Sequence, residues 1–497
     1  MSQPQKEDPV VGLGEDEKAV RSRPESSYAA SHDELDDRLV KKTLRKIDIH
    51  LVPFLMLLYV FSFLDRVNIG NARLYGLEKD LGLHGSQYQV AVSILFVPYC
   101  LLEVPSNLML QYFHPSRYLA TITTLWGIIA TLCGRTQNYA GILCCRIALG
   151  IVEAGLFPGL VAYMTLWYSK KEIALRIGYL FSSAAIAGAF GGLLAYAIGH
   201  MDGVAGQSGW RWIFIIEGLP SFVLGFFVWW LMADNPETAW FLSDEEKKAW
   251  ATRRALDIGQ TDSAQRFHKA DAIEGALDWK VHLCGFAQVG VDSILYGYST
   301  FLPTIIHGIG DWTVPEVQCL TIPCYFVGAV SYIIFSYISD KIQQRGIFIV
   351  IFSLIACVGY AILMADVSPG AHYFGCFVVA VGFYVCVGLP LAWLPTNCPR
   401  WGKRTFGTGL QLMWGNIAGV ITPFVYKTHE APTYRTGHGF TLAVTFMSAC
   451  CYGYLSWYYT RINKRRDEGK EDYKIEGMTE EEIQEMGDRN PKFRYTP

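Results

Sequence analysis

Charge is what this sequence has least of. Asp, Glu, Lys and Arg together make up 18% of its 497 residues, against about 25% in a soluble domain. Hydrophobic residues reach 51% and aromatics 14%. A wetted surface needs more charge than that, so the three soluble domains that the length alone suggests are excluded. A net charge of −3 argues equally against a basic nucleic-acid binder. None of the 13 cysteines belongs to a CxxC pair, and most lie in apolar runs (Cys100, Cys133, Cys357, Cys376, Cys386). Disulfide scaffolds and zinc sites are therefore not expected, and buried thiols acting as small hydrophobes are. Metal-ligand clusters, nucleotide loops and nucleophile–base arrangements are missing too, so neither an enzyme nor a cofactor is expected. The first apolar stretch begins too late and runs too long for a secretory signal, which leaves the first span to direct insertion. What remains is a polytopic membrane protein.

Crossing about 30 Å of hydrocarbon takes about 20 mostly apolar residues. Runs of that kind predict an all-α integral membrane protein of twelve transmembrane helices in two six-helix bundles. The first six spans are 48–68, 88–110, 118–134, 141–164, 178–199 and 212–232. The second six are 281–303, 317–338, 347–365, 372–394, 406–426 and 440–460. The implied parts are an N-terminal tail (1–46), rich in charge, Ser and Pro and expected to be disordered, a bundle over 47–232, a linker over 233–280, a bundle over 281–460, and a charged tail over 461–497. Within the linker, Ser243-Asp244-Glu245-Glu246 reads as a cap opening a short surface helix. Cations sit at alternate loops: Lys41, Lys42, Arg45 and Lys46; Lys170, Lys171 and Arg176; Lys247, Lys248, Arg253 and Arg254; Lys341 and Arg345; Arg400, Lys403 and Arg404. The opposite loops are poor in them. Both termini and the linker are thus expected in the cytoplasm.

Ionisable groups at membrane depth cost a few kcal/mol or more and need a reason. Span one ends in Leu64-Asp65-Arg66. In span four, Arg146 and Glu153 are seven residues apart, about two turns, so they share one face with Gly150 and Phe157. Four charges on two helices, two of each sign, can meet in one cavity or neutralise one another as packing ion pairs. Carboxylates in a cavity take up protons, and arginines hold organic anions with a bidentate fork. Asp65 and Glu153 are the candidate proton carriers; Arg66 and Arg146 are the candidate anion anchors. Asp292 with Tyr296 in span seven, and Asn416 in span eleven, are further candidates for substrate contact, with helix packing as the alternative. Glu103, beside Pro105, suits packing or gating. Glu217 suits substrate steering or anchoring. The pairs Gly155/Gly159, Ala185/Ala189 and Gly415/Gly419 have the small-xxx-small spacing that lets helices approach closely.

Two six-span halves around a linker are the layout of a secondary transporter. Ser336-Tyr337-Ile338-Ser339-Asp340-Lys341-Ile342-Gln343-Gln344-Arg345 resembles the major facilitator loop signature G-x-x-x-D-R/K-x-G-x-R, with Ser336 in place of its first glycine. The counterpart after span two, Tyr112-Phe113-His114-Pro115-Ser116-Arg117, keeps the arginine and loses the acid. A gating role is therefore expected of Asp340, Lys341 and Arg345. Leu64-Asp65-Arg66-Val67-Asn68-Ile69-Gly70-Asn71-Ala72, the run from Arg146 to Gly159, Gly209-Trp210-Arg211-Trp212, Phe301-Leu302-Pro303 and Gly415-Asn416-Ile417-Ala418-Gly419 resemble the anion:cation symporter branch. Within it the likeness is to fungal allantoate permeases, and more narrowly to nicotinic-acid permeases. That resemblance implies proton-coupled import of a small carboxylate or vitamin across the plasma membrane by a monomer in a lipid bilayer, with the proton as coupling ion. It also implies that the span-one Asp-Arg pair and the span-four Arg and Glu serve proton coupling and anion binding. The rival readings are a metabolite exporter on the same scaffold and a nutrient sensor.

Overall fold

A computed structural model describes residues 37–110, 113–169, 172–258, 268–426, 430 and 433–497. Residues 1–36 of the tail expected to be disordered, the cations Lys170 and Lys171, and linker residues 259–267 lie outside the described residues. Residues 37–46 of that tail are helical instead, because Val40 and Leu44 pack on the core with the buried Ile47 and extend the first span inward.

Helices are the only regular structure among the described residues, as a chain with few backbone partners in lipid requires. The N-terminal half runs α1 (Asp37–Leu74), α2 (Gln87–Ser93), α3 (Phe96–Met109), α4 (Pro115–Cys133), α5 (Tyr139–Glu153), α6 (Leu156–Trp167), α7 (Ile173–Gly199) and α8 (Gly209–Leu231). Next come α9 (Asp244–Ile258) and α10 (Lys269–Leu277). The C-terminal half runs α11 (Trp279–Ile309), α12 (Val314–Ile342), α13 (Arg345–Met364), α14 (Pro369–Asn397), α15 (Trp401–Val425) and α16 (Arg435–Asp467), with a short α17 (Glu480–Glu485) after it.

Eight of these rods are long and apolar enough to cross a membrane, with α2–α3 and α5–α6 each counted as one. The other four expected spans coincide with α4, α11, α15 and α16, which carry more polar side chains; Gln288 and Asp292 lie in α11, and Lys403, Arg404, Gln411 and Asn416 in α15. Local sequence explains the helix starts. Asn138 Oδ1 accepts from Gly141 N at 2.8 Å to open α5, and Ser243 and Glu246 exchange backbone and side-chain bonds to open α9, as the linker sequence predicts.

Two seams join the halves. α7 packs along α12, with Gly178 against Ser336, Gly188 against Tyr325 and Gly192 against Gln318. α3 packs along α15, where Gly409 meets Val104, Gly419 meets Phe96, and Asn107 Nδ2 donates to Thr405 O at 2.8 Å. Small residues at these positions let the backbones close up.

The charged tail folds back on the end of the C-terminal half. Asp488 accepts from Lys280 at 2.5 Å and Lys403 at 2.7 Å, Tyr495 stacks on Tyr459 with centroids 4.6 Å apart, and Trp393 Nε1 donates to Thr496 O at 2.6 Å. Burial works against ionising Asp488, yet the two ammonium groups hold its carboxyl well below the usual carboxylate range.

Candidate functional site

The centre of the site is on α1. Arg66 Nη2 donates to Glu153 Oε1 at 2.7 Å, and Ser62 Oγ, one turn earlier on the same face, donates to the same oxygen at 2.6 Å. Glu153 is the last residue of α5, where the chain breaks at Ala154–Gly155 before α6. The Glu153 side chain is 1% exposed and that of Arg66 13%, so the cation keeps access that its partner lacks. Arg66 also lies 5.2 Å from the Tyr99 ring centroid, and its Nε has no hydrogen-bond partner. A guanidinium with one arm on a carboxylate and donors to spare can accept a second carboxylate.

One turn beyond Tyr99, Glu103 reaches across the seam. Asn416 Nδ2 of α15 donates to both Glu103 oxygens, at 3.2 and 2.9 Å, and Tyr296 OH of α11 donates to Asn416 Oδ1. Tyr296 packs edge-on against Phe96, centroids 4.7 Å apart. A polar chain thus runs from the α3 carboxyl through α15 to α11, tying the halves together close to Arg66. Asp292, one turn before Tyr296, accepts from Gln288 Nε2 at 2.8 Å, and Gln288 Oε1 in turn accepts from Gln411 and Tyr452. A Cβ on Gly415 would fall 2.1 Å from Asp292 Oδ2, so only glycine lets α15 approach this carboxyl.

The structure therefore brings Arg66 to Glu153, and Tyr296 to Asn416. Asp65 and Arg146 face elsewhere. Asp65 Oδ2 accepts from Ser221 Oγ of α8 at 3.1 Å, and Arg146 Nε donates to Ala91 O at 3.3 Å, in the last turns of α2 before the helix breaks. Asp65 and Arg66 are neighbours in sequence, hence about 100° apart around the helix, and they meet different partners, Asp65 on α8 and Arg66 on α5. Seven-residue spacing does place Arg146 and Glu153 on one face, but α2–α3 crosses that face at Arg146: Gly150 lies against Leu95 O and Pro98.

At the end carrying the described termini, Arg345 Nη2 donates to Asp340 Oδ1 at 2.8 Å, while Leu175 N, in the first turn of α7, donates to Asp340 Oδ2 at 2.8 Å. The Asp340 carboxylate thus caps a helix of the opposite half. Lys341 takes no part in this contact; it lies over the ring of its own Tyr337 at 4.6 Å. Arg176 adds a two-pronged pair to Asp48, at 3.1 and 2.7 Å. Sequence reasoning used Arg176 only as an orientation signal and missed this pair. Glu103, expected to suit packing or gating, carries the bond across the seam to Asn416, and an acid one turn after a tyrosine in an apolar run was the available sign.

A sequence model described as Major Facilitator Superfamily matches residues 55–423. The chain belongs to the Major Facilitator Superfamily. It is 37% identical to an uncharacterized transporter of Schizosaccharomyces pombe, over 97% of this chain and 95% of that one. It is 30% identical to the high-affinity nicotinic acid transporter of Saccharomyces cerevisiae, over 92% of this chain and 84% of that one. Among solved structures, a bacterial homolog of the human lysosomal transporter Spinster, captured inward-facing and unoccupied, superposes with a TM-score of 0.59 at 17% identity, covering 85% of this chain and 98% of that one. This member of the superfamily is a multi-pass membrane transporter with fungal relatives.

Proposed function

We propose that this transporter imports a small organic anion, a nicotinate-like carboxylate, together with a proton. The observation that carries the reading is the Arg66–Glu153 pair, in which the cation is partly open and the acid is enclosed. An incoming carboxylate and Glu153 compete for one guanidinium. Protonating Glu153 removes the competitor and leaves Ser62 to bond the neutral acid. Proton and anion then each favour the other's binding by the same factor, which is what coupling requires. The likeness to a nicotinic acid transporter supports the choice of anion.

In this reading twelve helices cross the membrane as two bundles, 47–232 and 281–460, joined by the linker and followed by the tail. Both termini face the cytoplasm, the membrane is the plasma membrane, and the working unit is a monomer. Asp65 is a second proton-binding carboxyl. Tyr296 and Asn416 orient the body of the anion, Asp292 braces Tyr296 from the turn below, and Arg146 adds positive potential from behind. Rocking of the halves breaks the Asp340–Leu175 contact at one end and the Glu103–Asn416 contact near the middle.

The test is uptake of labelled nicotinate into proteoliposomes holding the full chain. An acidic exterior should drive accumulation, and collapsing the gradient should abolish it. Uptake indifferent to the gradient contradicts proton coupling. Faster efflux than influx under mirrored gradients contradicts import.

A further inference from the structure

On the side of α1 away from Arg66 lies a second polar cluster, enclosed between α1, α4 and α8. Asp65 and Asn68 are three residues apart on α1, and Glu217 and Ser221 are four apart on α8, so each pair shares a face and the two faces oppose. Asp65 is 3% exposed, Glu217 2% and Asn68 not at all. Ser221 bonds Asp65, as noted. Trp126 Nε1, buried and without a hydrogen bond of its own, faces Asp65 from α4. Both Glu217 oxygens lack a hydrogen-bond partner, as do both polar atoms of the Asn68 amide facing them.

Two carboxyls within electrostatic reach, with no ion pair to either, cannot both be charged in an apolar interior. The donors favour one assignment. Asp65, served by a hydroxyl and facing an indole N–H, suits the ionised state. Glu217 has no comparable bond and is left as the neutral acid, and the Asn68 amide beside it offers both an acceptor for the acid's O–H and a donor once the proton has gone. The other titratable or charged groups nearby are Glu153 of α5, Cys133 of α4 and, beyond Cys133, Arg146. None forms an ion pair with the two acids.

We infer that Asp65 and Glu217 share one transported proton, at a site separate from the Arg66–Glu153 pair that meets the anion. The inference rests on the proton-coupled reading above and adds Glu217 to it. Proton loss leaves two like charges between α1 and α8 and pushes the helices apart. Because Asp65 and Arg66 are consecutive, that movement of α1 also reaches the anion side.

Infrared difference spectroscopy of the full chain in lipid, without any substrate, reads the shared proton through the C=O stretch of a protonated acid. Wild type minus Glu217→Gln should show such a band at neutral pH, and Asp65→Asn, which keeps Glu217, should shift it. In the transport arm, Glu217→Gln should keep nicotinate exchange at equal pH and lose gradient-driven accumulation. No band in the difference spectrum, or a band indifferent to Asp65→Asn, overturns the shared proton. A lost band with undiminished accumulation overturns its transport. If Glu217→Gln does not fold, the Asp65→Asn shift decides the case. If wild type itself shows no gradient-driven nicotinate uptake, the proposed function fails, and the spectroscopy still decides whether the acids share a proton.

Discussion

Replacing Glu153 by Gln removes one negative charge while keeping the shape of the side chain and an acceptor for Ser62. In the native pair, an ionised Glu153 lies 2.7 Å from Arg66 Nη2 and must yield that cation before a substrate carboxylate can take it. Coupling free energies between linked sites are about 1–3 kcal/mol, which corresponds to about 5–150-fold in affinity. The enclosure of Glu153 and the limited exposure of Arg66 put this pair towards the upper end, since little solvent screens it. Nicotinate binding to the purified wild type should strengthen as pH falls, because protonation frees Arg66. Glu153→Gln should bind at neutral pH as tightly as wild type does in acid, and its Kd should be flat with pH. Scintillation-proximity titration at a series of pH values reads both quantities. A variant that keeps the wild-type pH dependence and the neutral-pH Kd refutes competition at Arg66.

Arg66→Lys keeps the charge but loses the fork. With about 1.5–3 kcal/mol per hydrogen bond to a charged group, nicotinate affinity should fall about 10–150-fold in the same titration; an unchanged Kd moves the anchor elsewhere. Asp340→Asn breaks a buried pair with Arg345 and weakens the cap on α7. Loss of one partner of such a pair costs about 3–5 kcal/mol, so the thermal unfolding temperature in detergent should drop clearly. Asp488→Asn should release the tail, read as faster limited proteolysis after Asp467. In the wild type, Asp488 is held below its ordinary carboxylate value. Its contribution is therefore complete above that ordinary value and is lost only as pH falls past it towards the depressed one. Tail protection should persist unchanged from neutral pH into mild acid, and loss of protection already at pH 6 contradicts the clasp.

Hydropathy located the helices because a membrane allows little other backbone structure. The strongly apolar α13 and α14 stand out at once, and even α11 and α15 could be placed, although their inward faces are too polar to meet a simple apolarity threshold. Seven-residue spacing placed Arg146 and Glu153 on one face correctly. It could not show that α2–α3 crosses that face, because crossing depends on Gly150 admitting the Leu95 carbonyl. Adjacent residues on one helix diverge, so Asp65 and Arg66 were never going to serve one pocket equally. Contacts between halves, such as Glu103–Asn416 and Leu175–Asp340, join residues 313 and 165 positions apart and leave no local pattern. The tail was legible only as charge. Its clasp depends on Lys280 and Lys403, from separate helices, converging on Asp488.

The most searching measurement is the proton balance of anion binding itself. Nicotinate added to purified protein in weakly buffered detergent solution, with a pH dye present, should draw protons from solution as the anion binds, as linkage requires of a competing carboxylate. Glu153→Gln should bind nicotinate with less proton uptake. Wild-type binding that leaves the dye unchanged would contradict an acid and an anion exchanging places on Arg66.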